Sequence, residues 1–292
     1  MYQVLSALIS SKFISELTKK KNIWSRKGIY DKFKQTMQVK KMGSSEFSEL
    51  VSLALMLLTT DETISELVVE ENDQKEVEDY EDYSHYNDDN AVNNTAIQYC
   101  IRPDPIFNDS KIESKMRKLR VASIGGGPGN DSAAFVVLRE NVLSKIFDKG
   151  ITIDCDLYDL EKNWKNYLTR LQELTTGILN LDFNRCDVTK NFNSSLNRVL
   201  KGRVTNYDMF LFSYVCNETS HLTKQSEGIF LRELFTNAKP FSIFVFVDVI
   251  EHAKKALLYV ESLTKTLDAN CGNFVSYHPP SNQAEVMVIV KY

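Results

Sequence analysis

Along the second two-thirds of the chain, short apolar runs alternate with stretches of helical spacing. Leu119–Ile124, Ile151–Tyr158, Leu181–Cys186, Asp208–Val215 and Phe241–Val247 read as strands. Between them, Ala133–Phe147, Trp164–Leu174, Phe192–Val199, Gln225–Asn237 and Ala253–Leu267 carry the period of helices. The chain closes on Asn273–Tyr277 and Val286–Lys291, two strand-like runs joined through His278, Pro279 and Pro280. Five strands alternating with helices predict a parallel sheet covered on both faces, and the closing pair predicts an antiparallel edge.

The first third has a different texture. Met1–Thr18 and Gly28–Met42 show apolar residues at helical spacing, and Ser44 to Leu58 reads as an amphipathic to buried helix with Ser44 at its N-cap and Gly43 breaking the chain before it. Asp61–Glu70 predicts one more helix. Glu71 to Asn94, dominated by Glu, Asp, Asn and Tyr with little aliphatic content, predicts a solvated, disordered linker.

Composition narrows the class. The 292 residues are 43% hydrophobic and 25% charged, with 35 Lys+Arg against 39 Asp+Glu and a net charge of −4, which excludes collagen-like, wholly disordered and disulfide-scaffold chains. Five widely spaced cysteines without a C-x-x-C pair signal neither a disulfide framework nor a zinc site, and no metal is expected. The longest apolar run, Leu50–Leu58, falls far short of the ~20 residues that span a bilayer. The positive charges at Lys19, Lys20 and Lys21 follow the apolar start instead of preceding it, unlike a signal peptide. No membrane association and an intracellular setting, cytoplasmic or nuclear, are expected.

The near-neutral sum hides an asymmetry. Residues 1–41 balance at +8 and residues 61–90 at −12, while residues 91–292 stand at +2. The basic segment, with Trp24, Tyr30 and Phe33 among its lysines, has the content of a nucleic-acid contact, and equally that of a helical face over a crevice. RNA is therefore one expected partner; oligomeric state is not legible.

The densest chemical signal follows the first strand of the alternating region: Ser123-Ile124-Gly125-Gly126-Gly127-Pro128-Gly129-Asn130-Asp131. A strand that runs into a glycine-rich turn and then a helix lets a ligand approach backbone N–H groups closely. A phosphate-binding P-loop would need Gly-Lys-Ser/Thr after the glycines, and a dinucleotide fingerprint starting at Gly125 would need glycine where Asn130 stands. The spacing present is G-x-G-x-G, at Gly125, Gly127 and Gly129.

Here the sequence resembles the class I S-adenosylmethionine-dependent methyltransferases over roughly residues 97–292. The resemblance implies a Rossmann-like three-layer sandwich, with a seven-stranded mostly parallel sheet and an antiparallel terminal strand. It implies S-adenosylmethionine as cofactor, held by Gly125, Gly126, Gly127 and Gly129, by Asp159 and Leu160 after the second strand, by Asp187 and Val188 after the third, and by Ser213 at the end of the fourth. Asp159 stands where the apolar alternation ends; Asp156 and Glu161 are its rivals. Two departures stand out: Ser123 occupies a place where the family often carries Asp or Glu, and the interval from Gly129 to Asp159 is long.

Candidates for catalysis follow the fourth strand. Glu218 or His221 would serve as base, and Tyr214 or Asn217 would orient a substrate amide or ring. A purely structural role is the rival for each, with Asn217 and Thr219 capping the next helix. The Asn/Asp-Pro-Pro-Tyr signature of nucleic-acid amino-methyltransferases is absent. The expected organisation is a helical region at 1–70 acting as lid or substrate selector, an acidic linker at 71–95, and a methyltransferase domain at 96–292. The expected function is methyl transfer by in-line displacement to a small molecule or RNA. The alternative is an inactive methyltransferase-like cofactor-binding or regulatory module.

Overall fold

The middle of the sheet explains why its strands read as continuous apolar runs. In the computed structural model, which describes residues 26–38, 43–59, 117–143, 151–175, 178–267, 271–279 and 284–292, every residue of Met209–Ser213 and Ile243–Asp248 is buried. Strands covered on both faces need no alternation. The chain divides into two units, 1–60 with 116–292 and 61–115; all described residues belong to the first. The helices expected at 1–18 and 61–70 and the linker at 71–95 lie outside the described residues.

In chain order the elements are α1 (Arg26–Met37), α2 (Ser44–Thr59), β1 (Arg117–Ile124), α3 (Asn130–Leu138) running into a π-helical turn at Arg139–Leu143, β2 (Ile151–Asp159), α4 (Trp164–Leu174), β3 (Leu179–Arg185), α5 (Arg198–Arg203) with a 3-10 turn at Val204–Asn206, β4 (Met209–Ser213), α6 (Val215–Gln225), α7 (Ile229–Asn237), β5 (Ile243–Asp248), α8 (Ile250–Thr264), β6 (Phe274–Tyr277) and β7 (Glu285–Lys291). The sheet runs β3-β2-β1-β4-β5-β7-β6. Strands β1 to β5 pair in parallel, and β7 inserts antiparallel between β5 and β6. This is the Rossmann-like architecture, with its topological switch between β1 and β4.

One face of the sheet carries a ladder of phenylalanines. Phe210 stacks on Phe244 with ring centroids 4.9 Å apart, and Phe212 on Phe246 at 4.6 Å; Phe235 of α7 meets Phe244 edge-on. Each fully buried ring contributes ~2–3 kcal/mol, and each stacked pair adds ~1 kcal/mol. At the far end of the same layer, Lys291 of β7 is 5% exposed and donates to the carbonyls of Phe235, Thr236 and Ala238, closing the C-terminus of α7. The described part of the N-terminal region also joins the core: Ile29, Phe33, Phe47 and Leu50 are buried, Phe33 meets Phe241 edge-on, Phe47 stacks on Tyr277, and α2 lies against β1.

Several boundaries differ from those read in the sequence, each for a local reason. The helix expected at Phe192–Val199 is a loop as far as Asn197, because the buried Asn197 amide binds the carbonyls of Asp187, Lys190 and Asn191, and α5 starts only at Arg198. The fourth strand ends at Ser213, where Tyr214 turns left-handed, so Val215 begins a separate helix. Helix α7 starts at Ile229 instead of Gln225, since Glu227 and Gly228 both have positive φ. The helix expected at Ala133–Phe147 begins earlier, at Asn130, and gives way to the π-helical turn at Arg139. Gly43, not Ser44, caps α2: its carbonyl accepts from Phe47 N–H, and its own N–H donates to Glu46.

Candidate functional site

The glycine turn is built by close packing on three sides and is open on the fourth. A β-carbon on Gly125 would lie 2.9 Å from Val215 Cβ, on Gly126 2.6 Å from Ser123 Oγ, and on Gly129 2.7 Å from Leu168 Cδ2. A β-carbon on Gly127 would meet nothing within 4 Å. Gly127 has φ +51°, a region L-residues adopt only at a cost, and it borders open space at the carboxyl end of β1.

This turn is joined to the end of β2. Gly125 N–H donates to Tyr158 O at 2.7 Å and Gly127 N–H to Asp159 Oδ2 at 3.0 Å, while Asp159 Oδ1 accepts from Glu161 N–H at 2.9 Å. Each carboxylate oxygen has a second lone pair, leaving capacity for two further donors. The two rivals of Asp159 are placed otherwise. Asp156, on the opposite face of β2, accepts from Arg203 at 2.9 Å and from the Tyr207 hydroxyl, which in turn is hydrogen-bonded to Tyr158. Burial, foremost among its causes, pushes the Tyr207 hydroxyl above its ordinary range. Glu161 accepts from Asn163 N–H. Leu160 is 53% exposed beside Asp159, and Trp164 packs against Tyr167 instead of entering the core.

After β3, the half-buried Asp187 is held in a built loop. Its N–H donates to Asn197 Oδ1 at 2.8 Å, and its Oδ1 accepts from Thr189 N–H and Oγ1. Oδ2 accepts no hydrogen bond among the described residues. Val188 follows, half-buried against the core. Asn197 was not legible as a site residue; a lone Asn in a polar stretch gives no sign of the four bonds it makes.

The ends of β1 and β4 meet at another group that spacing did not single out. Asp131, in the first turn of α3, is 5% exposed and accepts from Ser123 Oγ at 3.2 Å and from Ser213 Oγ at 2.9 Å. Burial pushes its carboxyl up, against the pull of the hydrogen bonds from Ser213 and Ser123. The departure at Ser123 thus has a counterpart: the short serine leaves room for a carboxylate that arrives from the helix.

The catalytic candidates are dispersed along one helix. Tyr214, at the N-cap of α6, has φ 61° and is 52% exposed. Asn217 is half-buried; its N–H donates to Asp248 Oδ2 at 2.7 Å, so the helix is capped by the buried Asp248 at the end of β5 and not by Asn217 or Thr219. Thr219 instead bonds back to Val215 O. Glu218 and His221 are exposed, and His221 lies seven residues beyond Tyr214, ~10 Å along the helix. His278 pairs with Glu261 of α8 at 3.6 Å, just past the end of the edge strand β6, which stands three places from β4 and so ~14 Å across the sheet. Burial pushes the thiols of Cys186 and Cys216 above the usual range, which keeps them protonated.

The strand order and the glycine turn define the class of fold: a Rossmann-like sheet whose topological switch lies between β1 and β4, with the glycine turn at the carboxyl end of β1. Several solved structures similar to this chain are described as methyltransferases. One from Pyrococcus furiosus is 14% identical, with a TM-score of 0.39, over 59% of this chain and 74% of its own. A Streptococcus mutans protein described as a candidate methyltransferase, in complex with SAH, is 16% identical with a TM-score of 0.39, over 60% of this chain and 90% of its own. The aminoglycoside resistance methyltransferase NpmB1 is 11% identical with a TM-score of 0.39, over 60% and 87%. No family model matches the sequence, and no curated protein does. At such identities a shared shape says nothing of acceptor or activity.

Proposed function

We propose that the chain is an S-adenosylmethionine-dependent methyltransferase, and that the joint between Gly127 and Asp159 is the centre of its cofactor site. That joint is the observation that carries the reading, because it sets an open glycine beside a carboxylate with lone pairs to spare. When bound, S-adenosylmethionine supplies a methyl carbon on a sulfonium, open to in-line displacement.

The residues present fit that group along its length. Asp159 would accept from the ribose hydroxyls, and Leu160 would cover one face of the adenine. Asp187 Oδ2 would accept a hydrogen bond from the adenine amine, with Val188 beside it. Asp131, steadied by Ser123 and Ser213, would face the ammonium of the methionine end. The walls near Ser213 would hold the acceptor at attack distance and exclude water, which is most of what such a transfer asks of a protein. Where the acceptor carries a proton, Glu218 would take it, with His221 further along α6 as the alternative base. The acceptor is a small molecule or RNA, and the basic N-terminal segment supports the RNA reading.

Calorimetry with S-adenosylmethionine on the full chain tests the cofactor. Labelling of cell extract from the labelled methyl donor, with and without RNase, then tests the transfer. Binding followed by label in one fraction supports the proposal; absence of binding overturns it. Binding without transfer to any fraction would leave the cofactor-binding module as the function.

A further inference from the structure

Tyr214 is an unusual occupant of its position. It sits at the N-cap of α6 with φ 61° and ψ 10°, the left-handed region in which a bulky aromatic is disfavoured. An N-cap side chain ordinarily accepts from the N3 N–H. Here that N–H, of Asn217, is taken by Asp248 from the neighbouring strand, so Tyr214 has no capping duty. Its side chain makes no hydrogen bond, ion pair or ring contact among the described residues, and it is 52% exposed.

Its place is fixed firmly nonetheless. Tyr214 N–H donates to Val247 O at 2.8 Å, and the next residue, Val215, touches Gly125 so closely that a β-carbon there would lie 2.9 Å away. The ring is therefore carried on a held turn whose next residue packs against the glycine loop. Val249, 48% exposed after β5, adds an apolar neighbour at the adjacent strand end. Asn217, three positions on, is the N3 residue whose side chain neighbours that of the N-cap, and its carboxamide makes no hydrogen bond among the described residues. An exposed aromatic side chain one turn from a carboxamide offers a surface for stacking and a donor–acceptor pair for an edge.

We propose that Tyr214 is the residue on which the methyl acceptor stacks, with Asn217 reading its edge, and that the acceptor is a nucleobase, a planar heteroaromatic ring. This rests on the functional reading above and goes beyond it in naming the class of acceptor and the residue that selects it. The test is a titration of the full chain at fixed salt, with and without S-adenosylhomocysteine. The probes are a short single-stranded RNA of mixed sequence and its abasic counterpart of equal length. The backbone charge is the same in both, so their affinity ratio reports on the bases alone.

The wild type should favour the base-bearing strand by about tenfold or more. Tyr214→Phe should keep that ratio. Tyr214→Gly, which suits the left-handed backbone and so folds, should cut it by about fivefold or more, the remainder belonging to Asn217, while leaving affinity for S-adenosylhomocysteine unchanged. Equal affinity of the wild type for both strands, or a ratio retained by Tyr214→Gly, overturns the inference. A wild type that binds no S-adenosylhomocysteine overturns the cofactor assignment instead, and the ratio measured without it still judges Tyr214.

Discussion

Replacing Asp159 by alanine separates the site from its rivals. The substitution removes the acceptor of Gly127 and Glu161 N–H, and with it the acceptors proposed for the two ribose hydroxyls. Hydrogen bonds to a charged group contribute about 1.5–3 kcal/mol each, so losing two costs ~3 kcal/mol or more in binding. That weakens the Kd for S-adenosylhomocysteine by about two orders of magnitude. The fold should lose only ~1 kcal/mol, because Glu161 is exposed and the Gly127 N–H borders open space where water can replace the carboxylate.

Asp156→Asn is the matched control, three residues away on the same strand. It weakens the acceptor for Arg203 and the Tyr207 hydroxyl, beneath the opposite face of the sheet. Stability should fall by about 1–3 kcal/mol with the Kd unchanged. Calorimetric titration and urea unfolding of both variants give the four numbers. The reasoning is refuted if Asp159→Ala binds as the wild type does, or if Asp156→Asn loses as much affinity as Asp159→Ala.

Asp131→Asn should raise the melting temperature near pH 7 and weaken cofactor binding. The native carboxyl is held above its ordinary 3.8, so as pH rises from there through the native value the unfolded chain has released a proton the native one keeps, and stability falls. Melts across pH should show the Asn variant gaining on the wild type over that window; a loss at pH 7 would mark the carboxylate as a structural anchor. Gly127→Ala should cost only ~1 kcal/mol from its backbone yet abolish cofactor binding, whereas Gly125→Ala, which collides with Val215, should cost more in urea unfolding. Lys291→Met should cost about 2–4 kcal/mol by leaving three carbonyls at the end of α7 without their donor, read by the same method.

How much of this molecule is legible in its sequence depends on how far apart the interacting residues stand. The strand and helix alternation is local, and Trp164–Leu174 coincides with α4 to the residue. The glycine turn is local too, and Asp159 could be chosen over Asp156 because the alternation of β2 ends there. Boundaries failed where one distant side chain rules the backbone: Asn197 holds 187–191 as a loop, and nothing in the helical spacing of Phe192–Val199 records that.

The site shows the same division more sharply. Ser123 reads as the loss of an acid, yet its structural meaning is the approach of Asp131, eight residues on, and of Ser213, which is 82 residues from Asp131 in the chain. Asp131 does carry a faint signal, an acidic residue in the first turn of a helix that opens on a glycine loop, where the helix dipole favours it. Tyr214 is legible as a candidate from its place after the fourth strand, but its lack of a capping role is not, because that depends on Asp248, 31 residues beyond Asn217, supplying the cap. Pattern thus locates the strand ends and the glycine turn between them. What each end does there is decided by contacts across the sheet, and these pair a residue with a partner the linear spacing never places beside it.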